Sequence, residues 1–133
     1  MNRLKEVEEI LRESKHFKAY IRLFELNKEI RPYDEDYVKK QDEKIEYYRK
    51  LDLNVERCLQ TLSKYELEFI KEIYFNNRTY RETMPLIKKL RYGDGNINRK
   101  MTTNISTLLN YTGTEVKKTI LNKLLNENIL EVA

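Results

Sequence analysis

Few side chains in this sequence could act as a nucleophile, an acid–base pair or a soft metal ligand. Cys58 is the only cysteine and His16 the only histidine, so the chain has neither an internal disulfide pair nor a ligand set for zinc. Cys58 lies in an apolar helical stripe, which favours a buried, inert thiol, and His16 is expected on a solvated helix face. No paired carboxylates occur in an apolar setting. We therefore expect no enzyme, no metal site and no cofactor.

Basic side chains are concentrated in the second half of the sequence. Residues 1–70 carry 15 Lys/Arg against 16 Asp/Glu, whereas residues 71–133 carry 11 against 6. Between Arg78 and Lys118 there are nine basic residues and three acidic ones. Such a local excess attracts polyanions and is typical of a nucleic-acid-binding face, although an ordinary solvated surface would explain it as well.

The stretch NYTGTEVKKT, which begins at Asn110, is the best candidate for the start of a DNA-reading helix. Residues 102–121 fit a helix-turn-helix unit, which needs a small crossing residue, a turn residue that tolerates positive φ, an N-cap and an apolar anchor. In that order, these positions hold Ser106, Asn110, Thr112 and Val116. Thr112 and Glu115 also have the spacing of a capping box. The sequence predicts a turn at Asn110 and a recognition helix from about Gly113.

That recognition helix would present short polar and cationic side chains to DNA. Thr114 and Asn122 suit hydrogen bonds to base edges, and the lysines that follow Val116 suit phosphate or guanine. Gly113 would allow close approach to a phosphate. The full predicted set of DNA contacts is Arg99, Lys100, Thr102, Thr112, Gly113, Thr114, Lys117, Lys118 and Asn122. An ordinary helical corner would explain the caps equally well. It would not explain why Glu115 is the single acidic residue on the exposed face.

Apolar spacing predicts an all-α fold, in which long N-terminal helices precede a multi-helix domain. The first helix would cover residues 2–29, with a break near Ser14 and an end before Pro32. A stripe with spacings of three and four follows, and its positions are Val38, Gln41, Ile45, Tyr48, Asp52, Val55, Leu59 and Leu62. This stripe could pair with the first helix as a hairpin or with a second chain as a coiled coil, and the sequence leaves both open.

Two further capping boxes, Ser63 with Glu66 and Thr79 with Glu82, mark helix starts in the second half. Pro85 would lie in an early turn of the second helix or kink it, so that its start could move to Thr83. The turn RYGDGN ends that helix. An amphipathic helix with Ile97, Met101, Ile105, Leu108 and Leu109 is expected next. The last helix would bury Val116, Ile120, Leu121, Leu124 and Leu125 and end near NEN.

The closing segment KLLNENILEVA is similar to the end of a winged-helix recognition helix. Too few residues follow for a two-stranded wing, so we expect a wingless unit or a single short strand at ILEV. We expect a helical arm for self-association or partner binding over residues 1–62 and a helix-turn-helix DNA-binding domain over residues 63–133. The chain has no apolar run near eighteen residues and its start fits neither a secretory signal nor a transit peptide, so a cytoplasmic location is expected.

Residues 62–83, LSKYELEFIKEIYFNNRTYRET, resemble the opening of a sigma-factor region-four domain and of phage-encoded late-gene transcriptional regulators of the autolysin-regulatory type. The likeness lies in Leu62, Glu66, Phe69, Ile70, Tyr74, Phe75, Tyr80 and Glu82, preceded by a long Tyr/Lys-rich helical arm. The resemblance implies regulation of transcription through promoter DNA, with RNA polymerase as a candidate partner. After Thr83 the chain departs from this pattern with Met84, Pro85 and the glycine turn.

Three functions are consistent with these observations. The first is a sequence-specific regulator of the phage or mobile-element type that binds double-stranded DNA as a homodimer through its basic half. The second is a helical interaction module whose N-terminal heptads bind a protein such as a polymerase subunit. The third is a phage packaging or replication component that forms larger complexes.

Overall fold

The computed structural model describes residues 2–93 and 105–131. These residues form six α-helices and no strand, so the all-α fold class predicted from the sequence is confirmed. The helices are α1 (Arg3–Ser14), α2 (Phe17–Ile30), α3 (Glu35–Leu59), α4 (Lys64–Ile70), α5 (Met84–Tyr92) and α6 (Ile105–Asn126), and a π-helical turn (Lys71–Phe75) continues α4. No helix within the described ranges is both long and apolar enough to cross a bilayer.

The predicted break near Ser14 separates α1 from α2. The Asn2 side chain caps α1 by accepting hydrogen bonds from the backbone N–H groups of Leu4, at 3.1 Å, and Lys5, at 3.3 Å. At the other end, the Ser14 hydroxyl donates to the Leu11 carbonyl at 2.7 Å. Such local bonds compete with the helical ladder and favour a helix end. The chain then re-enters a helix at Phe17.

Helices α2 and α3 pack against each other as an antiparallel hairpin. The apolar stripe of α3 therefore pairs with α2 of the same chain. Ion pairs join the two helices along their length: Lys18 lies 3.1 Å from Glu56 and 3.9 Å from Asp52, Glu25 lies 3.0 Å from Arg49, and Lys28 lies 2.6 Å from Asp42. Inside the seam, the Asn27 side-chain amide donates to the Gln41 carbonyl oxygen at 3.3 Å. This bond satisfies the buried polar position of the predicted stripe.

The main core lies where the end of the hairpin meets α1, α4, α5 and α6. Helix α1, which was predicted as part of the arm, packs against α6 and the π-helical turn. The side chains buried in this core include Val7, Leu11, Val55, Cys58, Leu62, Phe69, Ile70, Tyr74, Ile87, Ile120 and Leu124. The predicted buried position of Cys58 is confirmed, and burial raises the pKa of its thiol. The predicted division of function at residue 62 stays a prediction.

The capping boxes predicted at Ser63 and at Thr79 are present. Ser63 and Glu66 exchange hydrogen bonds between side chain and backbone at the start of α4, at 3.0 and 3.3 Å. Thr79 and Glu82 do the same at 3.1 and 3.2 Å, but they stabilise only a short turn. The next helix, α5, begins after Thr83, and Pro85 lies in its first turn, where a missing N–H costs nothing.

The C-terminal helix α6 buries Val116, Ile120, Leu121 and Leu124, as their spacing predicted, while the fifth predicted position, Leu125, is half-buried. It ends at Asn126, and Asn128 has a left-handed φ of 64°, a conformation that asparagine tolerates at helix ends. Residues 129–131 form no strand, so the described part of ILEV does not support the predicted short strand. The predicted amphipathic positions Ile97 and Met101 lie outside the described residues.

Candidate nucleic-acid interface

Helix α6 runs without interruption through the predicted turn, so the predicted helix start at Thr112 is wrong. Leu109, Val116 and Ile120 lie on one buried face at helical spacing, and a turn at Asn110 would separate the first from the other two. Burying each such side chain contributes about 1.5–3 kcal/mol, whereas an N-cap contributes about 1 kcal/mol. Asn110 tolerates positive φ but does not require it, so the burial of this apolar face keeps the helix continuous.

Gly113 lies against the ring of Tyr80 and does not face solvent. A Cβ atom at this position would come within 2.7 Å of Tyr80 Cγ. The Tyr80 ring in turn stacks on Phe69, with a centroid distance of 6.5 Å. Glycine is therefore needed here for close contact between α6 and the residue 79–83 turn, and the predicted approach of Gly113 to a DNA phosphate stays a prediction.

Thr112 and Lys117 also belong to the inner side of α6. Thr112 is only 3% exposed. The Lys117 ammonium lies 3.5 Å from Glu8 Oε2 of α1 and 5.9 Å from the centre of the Tyr80 ring. Glu8 also accepts a hydrogen bond from the Tyr74 hydroxyl at 2.7 Å, and burial together with this bond raises the pKa of Tyr74. Thr112 is thus buried and Lys117 is bound to Glu8 within the protein, while their predicted DNA contacts stay predictions.

The outer face of α6 carries Tyr111, Glu115, Lys118 and Asn122, which are all exposed and follow one another at spacings of four, three and four. Lys118 and Asn122 are thus the two predicted contacts that the structure leaves accessible one turn apart. Thr114 is half-buried at the edge of this face. The remaining predicted contacts, Arg99, Lys100 and Thr102, lie outside the described residues.

Helix α5 supplies a second group of cations, which we call the α5 cations: Lys88, Lys89 and Arg91. All three were counted in the basic excess, but none was predicted as a contact. None of the three forms an ion pair with a carboxylate of residues 2–93 or 105–131. Lys89 lies 4.7 Å from the centre of the Tyr65 ring, and Arg91 lies 6.0 Å from that of Tyr92. Their charge is therefore not neutralised by the described protein groups. The signal for them in the sequence was the run KKLR after Pro85.

A cleft of about 390 Å³ joins α5 to the outer face of α6. Arg91 lines it from α5, and Tyr111, Glu115 and Thr119 line it from α6. Glu66 lines the cleft from α4 and forms an ion pair with Lys123. Burial alone would raise the pKa of Glu66, but hydrogen bonds from Lys123 and Ser63 outweigh it and hold that pKa below its ordinary value. Among the α5 cations, Arg91 thus shares this cleft with Tyr111 and Glu115 of the outer face of α6.

This surface carries polar, aromatic and cationic side chains. No group of three or more His, Cys, Asp or Glu side chains in the described part of the chain could hold a metal ion. Lysine and arginine side chains bind phosphates, tyrosine rings can stack on bases, and asparagine can pair with a base edge. In comparisons with known proteins, the chain matches no family model, no curated protein and no solved structure.

Proposed function

We propose that this protein is a sequence-specific regulator that binds double-stranded DNA in the cytoplasm through α5 and the outer face of α6. The observation that carries the proposal is the group of α5 cations, which lack carboxylate partners among the described residues. Elsewhere in this half of the molecule, Arg78, Lys117 and Lys123 are paired with acids. Arg81 and Lys118 form no ion pair among the described residues. A group of unpaired cations beside an exposed polar helix face is what a phosphate backbone requires.

The proposed division of labour separates affinity from sequence reading. Lys88, Lys89 and Arg91 would contact phosphates, which position a protein on the duplex without reading it. Asn122 would read base edges, and Lys118 would reach phosphate or guanine from the same helix face. Glu115 also lies on the outer face of α6 and would repel a nearby phosphate. We therefore expect Glu115 to face the groove of the DNA and not its phosphate backbone.

The test is a fluorescence-anisotropy titration of a labelled duplex selected from a random pool, repeated over a range of salt concentrations. A variant with Lys88, Lys89 and Arg91 all changed to Ala is compared with a control in which Lys39, Lys40 and Lys50 of α3 are changed to Ala. Both variants lose three positive charges, although Lys88 and Lys89 are half-buried and the three α3 lysines are exposed. Each lost phosphate contact lowers the slope of log affinity against log salt by about 0.9, so the α5 variant should lose about 2–3 in slope and at least about tenfold in affinity.

Two results would overturn the proposal. One is the absence of salt-dependent binding by the unchanged protein, and the other is equal loss in the α5 variant and the α3 control. A second variant, Asn122→Ala, tests sequence reading separately. It should reduce the preference for the selected duplex over a scrambled one while leaving the salt slope unchanged.

A helical interaction module remains the second candidate, and one observation favours it. Several large apolar side chains of the hairpin are exposed, among them Leu23, Leu26 and Ile30. A contiguous exposed apolar patch is typical of a protein-binding surface. RNA polymerase is the candidate partner that the sequence resemblance implies for such a module.

A further inference from the structure

Helix α2 carries a second apolar seam that its pairing with α3 leaves uncovered. Ala19, Leu23, Leu26 and Ile30 follow one another at spacings of four, three and four, which is the a/d pattern of a coiled coil. Ala19 is exposed, and Leu23, Leu26 and Ile30 are 51%, 41% and 70% exposed. We call these four residues the outer α2 seam. The residues that α2 turns toward α3 are different ones, such as Phe24 and Asn27.

The charges beside this seam differ from those on the rest of α2. Lys18, Glu25 and Lys28 are each bound to an opposite charge on α3. Arg22 and Glu29, which directly precede Leu23 and Ile30 at the g positions of the heptad, form no ion pair within the described residues. One unpaired cation and one unpaired anion therefore flank the same seam, seven residues apart.

We propose that a second copy of this chain covers the outer α2 seam, with the two α2 helices antiparallel about a two-fold axis between residues 24 and 25. In that register Leu23 faces Leu26 of the second copy, and the small Ala19 faces the large Ile30 of the second copy. The same register brings Arg22 opposite Glu29 of the second copy, and the two-fold axis repeats this pair. Packing and charge are thus satisfied by one alignment.

The opposite orientation does not give this match. In a parallel pair, a g position lies beside an e position of the other helix, so Arg22 would meet Asn27, which is already bound to Gln41. Glu29 would meet a position beyond the end of α2. Charge complementarity therefore selects the antiparallel dimer. The seam spans about 16 Å of helix, so the dimer interface is short.

The test is sedimentation velocity of the full chain without DNA, from about 1 to 200 µM, which makes it independent of the proposed DNA binding. The unchanged protein should pass from monomer to dimer over this range. Leu23→Asn should leave a monomer, and so should Arg22→Glu or Glu29→Arg alone. The combined Arg22→Glu, Glu29→Arg variant should form the dimer again, because the two charges are exchanged. Lys50→Glu on α3 is the matched control and should dimerise normally.

Three results would overturn the proposal: a monomer at every concentration, an assembly larger than a dimer, or failure of the combined charge exchange to restore a dimer that the single changes abolish. Circular dichroism of each variant checks that the hairpin is still folded. Since Leu23, Arg22 and Glu29 are all exposed, helical content should not change. If DNA binding fails while the dimer and its charge exchange hold, only the functional proposal is lost.

Discussion

In the α2–α3 hairpin, the cations Lys18, Lys28 and Arg49 are bound to carboxylates of the facing helix, whereas the α5 cations have no such partners among the described residues. The apolar side chains show the reverse difference. The hairpin leaves Leu23 and Ile30 exposed, while the α4–α6 region buries Phe69, Ile87 and Leu124 completely. The hairpin surface therefore suits an apolar neighbour, and the α5–α6 surface suits a polyanion.

The largest difference between the two regions should appear in stability. Changing Phe69 to Ala removes a fully buried ring that stacks on Tyr80 and should lower the free energy of unfolding by about 3–5 kcal/mol. Changing Leu23 to Ala removes a side chain that is half exposed and should cost less than about 1 kcal/mol in the monomer. Urea unfolding at low protein concentration measures both, and equal losses would contradict the difference in packing.

Gly113→Ala tests whether α6 is continuous and packed on Tyr80. The new Cβ would lie 2.7 Å from a ring atom, and such overpacking costs about 1–3 kcal/mol, which exceeds the gain of about 1 kcal/mol in helix propensity. The control is Asn122→Ala on the outer face of the same helix. If Gly113 were instead at an exposed helix start, its replacement would leave stability unchanged and alter DNA binding. Adding Tyr80→Leu should recover part of the loss.

Glu66→Gln tests the ion pair that fixes α6 on α4. Glu66 is buried, bound to Lys123 and part of the α4 cap, so its neutralisation should cost about 1–2 kcal/mol at pH 7. Because the folded-state pKa of Glu66 is lowered, this contribution is present above the ordinary glutamate pKa and is lost as pH falls through the folded-state value. The gap between the two proteins should therefore close at acidic pH. Glu68→Gln, exposed on α4, is the control.

The smallest effect should come from an ion pair of the hairpin. Arg49→Ala removes the contact with Glu25, in which both side chains are more than one-third exposed. Exposed pairs contribute about 0.2–1 kcal/mol and are screened by salt. Unfolding in low salt should reveal a small loss that disappears in about 1 M salt. A loss as large as that of Glu66→Gln would contradict the contrast between a solvated hairpin and a buried α4–α6 contact.

The candidate site shows where sequence reasoning reached its limit. The KKLR run and the exposed positions of Lys118 and Asn122 could be read from the sequence, because charge and helical spacing are local properties. The burial of Gly113 could not be read from the sequence, because its partner Tyr80 lies more than thirty residues earlier in the chain. Lys117 was misplaced for the same reason, since its partner Glu8 belongs to α1.

The sequence by itself determined the helical elements and many of their ends. The box of Ser63 and Glu66, Pro85 in the first turn of α5 and the apolar face of α6 all act within a few residues. Only the tertiary structure decided that α3 pairs with α2 of its own chain and that α6 continues through Asn110. Spacing specifies which face of a helix is apolar but not what covers it, and a local cap signal is overridden when a longer helix buries more apolar surface.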